Sequence, residues 1–303
     1  MSRFRARRLL LGCSATDLVL LAEPEASTDA PQVLAALAVA PASAPLTVAS
    51  AALCAALPGL QPTPLAAGAE QERARAPSHA QFHTLSVTLD DGLARSFVVT
   101  PPRGAQGLRE LRAIAAARFA ALYGESAEHW LLVGDWHASA PFIVCALPRA
   151  LYQAFEQWAQ ARSWRLDSLT PAFVRVGNSL RAAIPGDGWL LVGFGHTLSL
   201  LNTCNEQLAG VRSLPLSGAP EFAVLETLLA QERLRSPEQS AKRQSLLWAG
   251  AADWLPTASR MAGLESRTMR TVRTIYPPGG ALSGAGSSTA AQLALAGRQP
   301  CSA

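Results

Sequence analysis

The chain has 303 residues, 49% hydrophobic and 16% charged, with a formal net charge of +4. Such a composition, with a mean hydropathy of +0.16, excludes a disordered or solvating chain, which cannot bury enough apolar surface to offset its ordering entropy. The length suits one large domain or two of ordinary size. Lys242 is the sole lysine, and the basic residues gather only at Arg3, Arg5, Arg7 and Arg8 and at Arg267, Arg270 and Arg273, so no nucleic-acid partner is expected. The cysteines Cys13, Cys54, Cys145, Cys204 and Cys301 form no CxxC pair; neither a zinc site nor a disulfide framework is indicated, and a reducing compartment fits.

Two stretches call for a membrane test. Leu10-Leu11-Gly12-Cys13 behind a basic start has the look of a lipoprotein box, but only Leu9 to Gly12 separate Arg8 from Cys13. A secretory apolar region needs about 7–15 residues. The uncharged run from Ala30 to Ala69 exceeds the roughly 20 residues of a spanning helix, yet Pro41, Pro45 and Pro58 interrupt it and alanine inserts poorly. Short helices and a strand are expected there, and a soluble, cytoplasmic protein.

In chain order, residues 8–22 read as two apolar strands joined by the turn Ser14-Ala15-Thr16-Asp17. Gln61 to Ala80 reads as a surface loop. Phe82 to Thr100 alternates around Asp90-Asp91-Gly92, a hairpin signal. Residues 107–123 carry apolar side chains at helical spacing and end at Gly124. Strands at Trp130 to Asp135 and Phe142 to Ala146, a helix from Arg149 to Arg162 and a strand near Leu166 follow, an α/β alternation. A helix is expected from Thr170 to Ile184, then three strands in GWLLVGFGHTLSLLNTCNEQLAGVRSLPL with turns at Gly195 and Asn205-Glu206. Glu221 to Arg235 reads as a helix and SLLWAG as a strand; AADWLP leads into a further helical stretch, and a loop precedes a last helix from Thr289 to Ala296.

Catalytic constellations are sparse. No GxSxG elbow is present, and His79, His83, His129, His137 and His196 lack an orienting partner in the sequence. His79 and His83 are four apart, a spacing that converges only on a helix, whereas their context is a strand. Asp135-Trp136-His137 ends a strand, where tryptophan commonly closes a core edge. GGALSGAGSST lacks the Gly-Lys-Ser/Thr ending of a phosphate loop, and GFGHT (Gly193 to Thr197) is the better glycine-rich turn for approaching an anion.

The order of these pieces resembles the actin-like ATPase superfamily, in particular the PilM-type proteins of type IV pilus assembly and the cytoplasmic domain of GspL-type secretion proteins. RLLLGCSATDLVLLA resembles the first phosphate hairpin, and WLLVGFGHTLSLLNTCNEQLAGVRSLPL the second with its third strand. SLLWAGAADWLPTASRMAGL resembles the adenosine-side strand, glycine turn and helix. STAAQLALAGR resembles the closing helix, and FIVCALPRALYQAFEQWAQARSWRLDSLTP the strand-helix-strand before the lobe crossover. The resemblance implies an α/β fold of two actin-like (RNase H-like) lobes, each a mixed sheet with flanking helices. The first would span residues 1–175, with a variable insertion at about 23–106; the second would span 176–303, its last helix packing back on the first lobe.

ATP-binding members carry an aspartate in each phosphate hairpin, which organises magnesium around the phosphates. Gly12 and Gly193 align with those aspartates here, Ser14 stands for a glycine, Val19 for a polar residue, and Ala249 for one glycine of the adenosine turn, of which Gly250 is kept. The resemblance therefore implies a vestigial nucleotide cleft at Ser14, Thr16, Gly193, Gly195, His196, Thr197 and Gly250, with no catalytic residue, no metal ligand and no resident cofactor. The implied role is a non-catalytic scaffold of a pilus-assembly or type II-like secretion apparatus. It would hold the cytoplasmic tail of a PilN-like or GspM-like membrane partner, touch the inner membrane only through that partner, and leave homodimerisation open. The alternative is an ATPase or kinase of the same superfamily that binds ATP with magnesium, for which Asp17, Asp135, Asp167 and Asp187 are the nearby acids. A lipid-anchored envelope protein would rest on Cys13 alone.

Overall fold

In the computed structural model the described residues are 8–23, 31–39, 46–63, 83–105, 107–235, 244–270 and 288–298. They fall into two compact units interleaved along the sequence. One takes the described residues up to Asp90, Ala150–Thr170 and the last helix; the other takes Asp91–Arg149 and the described residues from Pro171 to 270. Residues 64–80 of the sequence-predicted loop from Gln61 to Ala80 and most of GGALSGAGSST lie outside the described residues, as do His79 and Cys301.

The first unit is built on a five-stranded sheet. Strands β1 (Arg8–Cys13) and β2 (Asp17–Ala22) form the expected hairpin, β3 (Gln32–Ala38) pairs antiparallel with β2, and helix α1 (Leu46–Ala56) leads on to β4 (Thr84–Leu89), which pairs parallel with β1. The order is β3-β2-β1-β4-β8, with β8 at Arg165–Pro171. After the partly exposed Arg8 and Asp17, RLLLGC and DLVLLA are apolar and buried because both sheet faces are covered, so alternation would bury polar groups. One cover is α6 (Thr289–Ala296), whose Ala290, Ala291 and Ala294 pack on Leu10, Val19 and Leu21. The alanines let this helix approach the strands closely.

The hairpin expected across Asp90-Asp91-Gly92 does not form. β4 belongs to the first sheet, while β5 (Arg95–Val99) pairs with β7 (Phe142–Pro148) and not with β4. Asp91 is the reason visible in the structure. It is buried in a 3₁₀ turn, where its carboxylate accepts the N–H of Phe173 at 2.9 Å and the hydroxyl of Ser199 at 2.8 Å, and it is not a solvated turn residue.

The second unit holds two sheets. The smaller has the order β5-β7-β6, with β6 at Trp130–Gly134, and one face is covered by α2 (Leu108–Tyr123). Gly124 ends α2 in the left-handed conformation with φ +68°. Phe119 of this helix meets Phe97 and Trp130 at centroid separations of 6.1 and 5.1 Å. Helix α3 (Arg149–Gln160) follows β7, belongs to the first unit from Ala150 on, and buries Leu151, Phe155, Trp158 and Ala159. Helix α4 (Ala172–Ser179) is shorter than the expected Thr170 to Ile184, because β8 runs on to Pro171 and a 3₁₀ turn replaces the end.

The larger sheet has the order β11-β10-β9-β12-β14-β13. It comprises β9 (Gly188–Phe194), β10 (Thr197–Cys204), β11 (Gln207–Pro215), β12 (Ser245–Gly250), β13 (Arg260–Met261) and β14 (Leu264–Arg270). β12 lies parallel to β9, and α5 (Phe222–Leu234) supplies Leu225 and Leu229 to a core with Trp189, Leu191, Leu198 and Trp248. The helix expected after AADWLP is a hairpin instead. Ala262 and Gly263 take φ +48° and +78°, and Met261 pairs with Leu264 across this tight turn, which no helix can contain.

Candidate functional site

The sequence-predicted site residues form two groups, one in each unit: Ser14 and Thr16 in the first, and Gly193, Gly195, His196, Thr197 and Gly250 in the second. Each group is a hairpin tip of the kind that offers backbone N–H groups to a phosphate.

At the first tip those N–H groups are already used. The Ser14 hydroxyl accepts from the backbone N–H of Thr16 at 3.1 Å and of Asp17 at 3.0 Å, donates to the Asp17 carboxylate, and lies 3.1 Å from the Thr16 hydroxyl. Asp17 reaches onward to the start of α6, accepting the N–H of Ala290 at 3.2 Å, while Ser288 caps the same helix by accepting from Ala291 at 3.0 Å. A carboxylate at a helix N-terminus is stabilised by the free N–H groups and the dipole. Asp17 therefore ties the turn to the start of the helix. Gly12 lies against this helix: a Cβ there would stand 1.8 Å from the Ala290 carbonyl oxygen and 2.5 Å from the Ala294 nitrogen. No aspartate can occupy the position without displacing α6.

The second tip is closed by a side chain. Gly195, at φ +50°, opens the two-residue turn between β9 and β10, and its carbonyl accepts the indole N–H of Trp254 at 2.6 Å. The indole lies over Gly193, where a Cβ would meet Cη2 at 2.6 Å and the Leu255 side chain at 3.0 Å. The Gly193 carbonyl accepts the N–H groups of Ala251 at 3.0 Å and Ala252 at 3.1 Å, so the chain after β12 folds back onto the tip. Gly250 makes that return feasible; it has φ +118°, and a Cβ would stand 2.1 Å from the Gly193 oxygen. His196 is exposed and its carbonyl accepts Leu216 N–H at 2.7 Å, while Thr197 is buried in β10.

Trp254 and Ala290 were not legible as site residues, because what gives them importance is their distance from these glycines in space. Trp254 bonds a residue 59 positions away in sequence. The remaining acids are structural or solvated: Asp187 accepts the Asn205 N–H at 2.8 Å in a hairpin turn, Asp167 pairs with Arg165 at 3.4 Å, and Asp135 is exposed. Beside Asp135, Trp136 closes the core edge on Phe142 with centroids 5.9 Å apart. His83 stacks edge-on against Trp164 at 6.4 Å. Cys13 is wholly buried between Leu18 and Leu89, and burial pushes its thiol well up, so acylation there would require dismantling β1. Among the described residues, no helix is long and apolar enough to cross a membrane.

No family model and no curated protein sequence matches the chain. Solved structures do. The cytoplasmic domain of EpsL, an inner-membrane component of the type II secretion system of Vibrio cholerae, is 15% identical with a TM-score of 0.50, covering 87% of this chain and 89% of that one. A PilM-PilN type IV pilus biogenesis complex is 16% identical with a TM-score of 0.52, covering 97% of this chain and 99% of the matched one. A Bacteroides thetaiotaomicron protein of actin-like ATPase fold and unknown function is 9% identical with a TM-score of 0.47, covering 84% of this chain and 86% of that one. With β3-β2-β1-β4-β8 repeated as β11-β10-β9-β12-β14, the chain has the actin-like ATPase fold, in the form shared by the EpsL cytoplasmic domain and PilM.

Proposed function

We propose that the chain is a non-catalytic actin-like scaffold of a bacterial type IV pilus-assembly or type II-like secretion apparatus, which holds the cytoplasmic tail of an inner-membrane partner. The observation that carries this reading is the closure of both hairpin tips from within, by the Ser14 hydroxyl and α6 at one and by the Trp254 indole at the other. A phosphoryl-transfer site needs carboxylates and open N–H groups at these places. Here the sequence supplies glycines and the fold fills the space around them. The fold likeness to PilM and to the EpsL cytoplasmic domain supports a place beside the inner membrane.

Two measurements test the reading. Calorimetric titration with ATP and magnesium gives no binding heat while the protein shows a normal thermal transition; micromolar, magnesium-dependent binding overturns the non-catalytic role. An array of short cytoplasmic tails from single-span pilus and secretion components, probed with the purified chain, retains a PilN-like or GspM-like tail. Retention of none of them removes the adaptor role.

A further inference from the structure

The crossovers between parallel strands differ in the two units. The connection from β4 to β8 includes the helix α3, whereas the one from β12 to β14 contains no helix and closes through the two-residue β13. A crossover between parallel strands is commonly a helix that covers the sheet. Without one, β14 alternates: Glu265, Arg267 and Met269 are exposed, with Ser266 and Thr268 half-buried between them. Beside it, within the second unit, lies a hollow of about 380 Å³ whose lining includes Ala183, Pro185, Ser245, Leu247, Glu265 and Arg267.

The walls of this hollow are fixed. Ser245 stands opposite Glu265 and Leu247 opposite Arg267 in the parallel pairing of β12 with β14, so these four side chains share one face. Pro185 is held close to the start of β12 because Gly188 has no side chain; a Cβ there would stand 2.2 Å from the Ser245 carbonyl oxygen and 3.1 Å from Pro185. The Pro185 carbonyl also accepts the Thr203 hydroxyl at 2.6 Å. Two of the lining groups are donors, the Arg267 guanidinium and the Ser245 hydroxyl, and neither has a hydrogen-bond or ion-pair partner among the described residues. Apolar walls with a few converging polar groups are the make-up of a small-molecule site.

We propose that the hollow binds a small aliphatic carboxylate. The guanidinium fork of Arg267 takes the carboxylate through two parallel hydrogen bonds, the Ser245 hydroxyl donates a third, and the aliphatic body lies on Leu247, Ala183 and Pro185. Glu265 selects the charge of the ligand. Standing on the same face as Arg267, it repels a phosphate dianion about twice as strongly as a carboxylate. The proposal is independent of the scaffold role.

Saturation-transfer NMR of the full chain with hexanoate is expected to show binding at about 1 mM, the scale open to a ligand of so few atoms. Hexanamide, which has the same body without the charge, should bind about tenfold more weakly. Arg267→Gln should lower hexanoate affinity about tenfold and leave the thermal transition unchanged, because the side chain is exposed. Arg270→Gln, on the same strand but outside the lining of the hollow, tests for general attraction to a basic surface and should change affinity by less than about twofold. A peptide ending in a free leucine carboxylate and inorganic phosphate are the competing ligands. No hexanoate binding at about 10 mM, equal weakening by Arg267→Gln and Arg270→Gln, or tighter binding of the peptide or of phosphate than of hexanoate overturns the proposal.

Discussion

The sheets β3-β2-β1-β4-β8 and β11-β10-β9-β12-β14 follow one plan. Each is an antiparallel trio followed by a crossover helix, α1 or α5, and a strand parallel to the first. Each carries a glycine toward the end of its first strand, Gly12 or Gly193. The walls around the two glycines differ. Gly12 faces the backbone of α6, which is anchored by Asp17 and Ser288 at its start and by Arg8, donating at 3.0 Å to the Gly297 carbonyl, at its end. Gly193 faces the Trp254 side chain, which is held at the tip through one hydrogen bond to Gly195. Backbone in a packed helix cannot move without unfolding its neighbours, whereas an indole can swing aside. The space beside the strand is thus closed by fixed backbone in one sheet and by a movable side chain in the other.

Substitutions at the two glycines put this difference to the test most directly. Gly12→Ala is expected to cost about 3 kcal/mol or more, because the helix must leave the sheet, while Gly193→Ala, against a movable ring, costs about 1–2 kcal/mol. Chemical denaturation of both variants measures the gap, and equal losses would erase the distinction. The next effect is a rescue. Gly193→Asp drives its Cβ into the indole, and adding Trp254→Gly should recover about 1–2 kcal/mol of the single variant's loss through coupling between neighbours. The pair Gly12→Asp with Ala290→Gly should recover nothing, since the clash there is with backbone.

A smaller effect concerns the anchor of the first wall. Asp17→Ala removes the acceptor at the start of α6 and is expected to lower stability by about 1 kcal/mol, within the range of a helix cap. The second tip has no equivalent dependence on Asp187, which holds the opposite end of the sheet at Asn205. Last comes a pH effect. Burial pushes the Cys145 thiol from 9.0 to about 12, and Cys13 rises as well. The folded chain keeps protons that the unfolded chain releases, so this part of the stability is whole below about pH 9 and falls as pH rises toward about 12. Denaturation at a series of alkaline pH values should show the fall, and Cys145→Ala should make it shallower in the second unit while leaving the Cys13 contribution in the first.

Much of this architecture was readable along the chain. Apolar runs such as RLLLGC and DLVLLA, the turns at Gly195 and Asn205-Glu206, and the stop at Gly124 fix strands and helix ends through local physics, namely side-chain hydrophobicity and backbone φ. Misreadings arose where a local signal was weaker than a distant one. Asp91 looked like a turn residue, but its partners Phe173 and Ser199 lie 82 and 108 positions away. Residues after Trp254 looked helical until a tight turn at Ala262-Gly263 set them as strands.

The candidate site divides the same way. The sequence by itself determined that residues 12 and 193 are glycines, and that an α/β fold of repeated order would form. Only the tertiary structure decided what a side chain would meet there, helix backbone at Gly12 and the Trp254 and Leu255 side chains at Gly193. That outcome depends on where Ala290 and Trp254 stand in space relative to the two glycines, and such proximity comes from packing between segments far apart in the chain, which no local pattern of residues encodes.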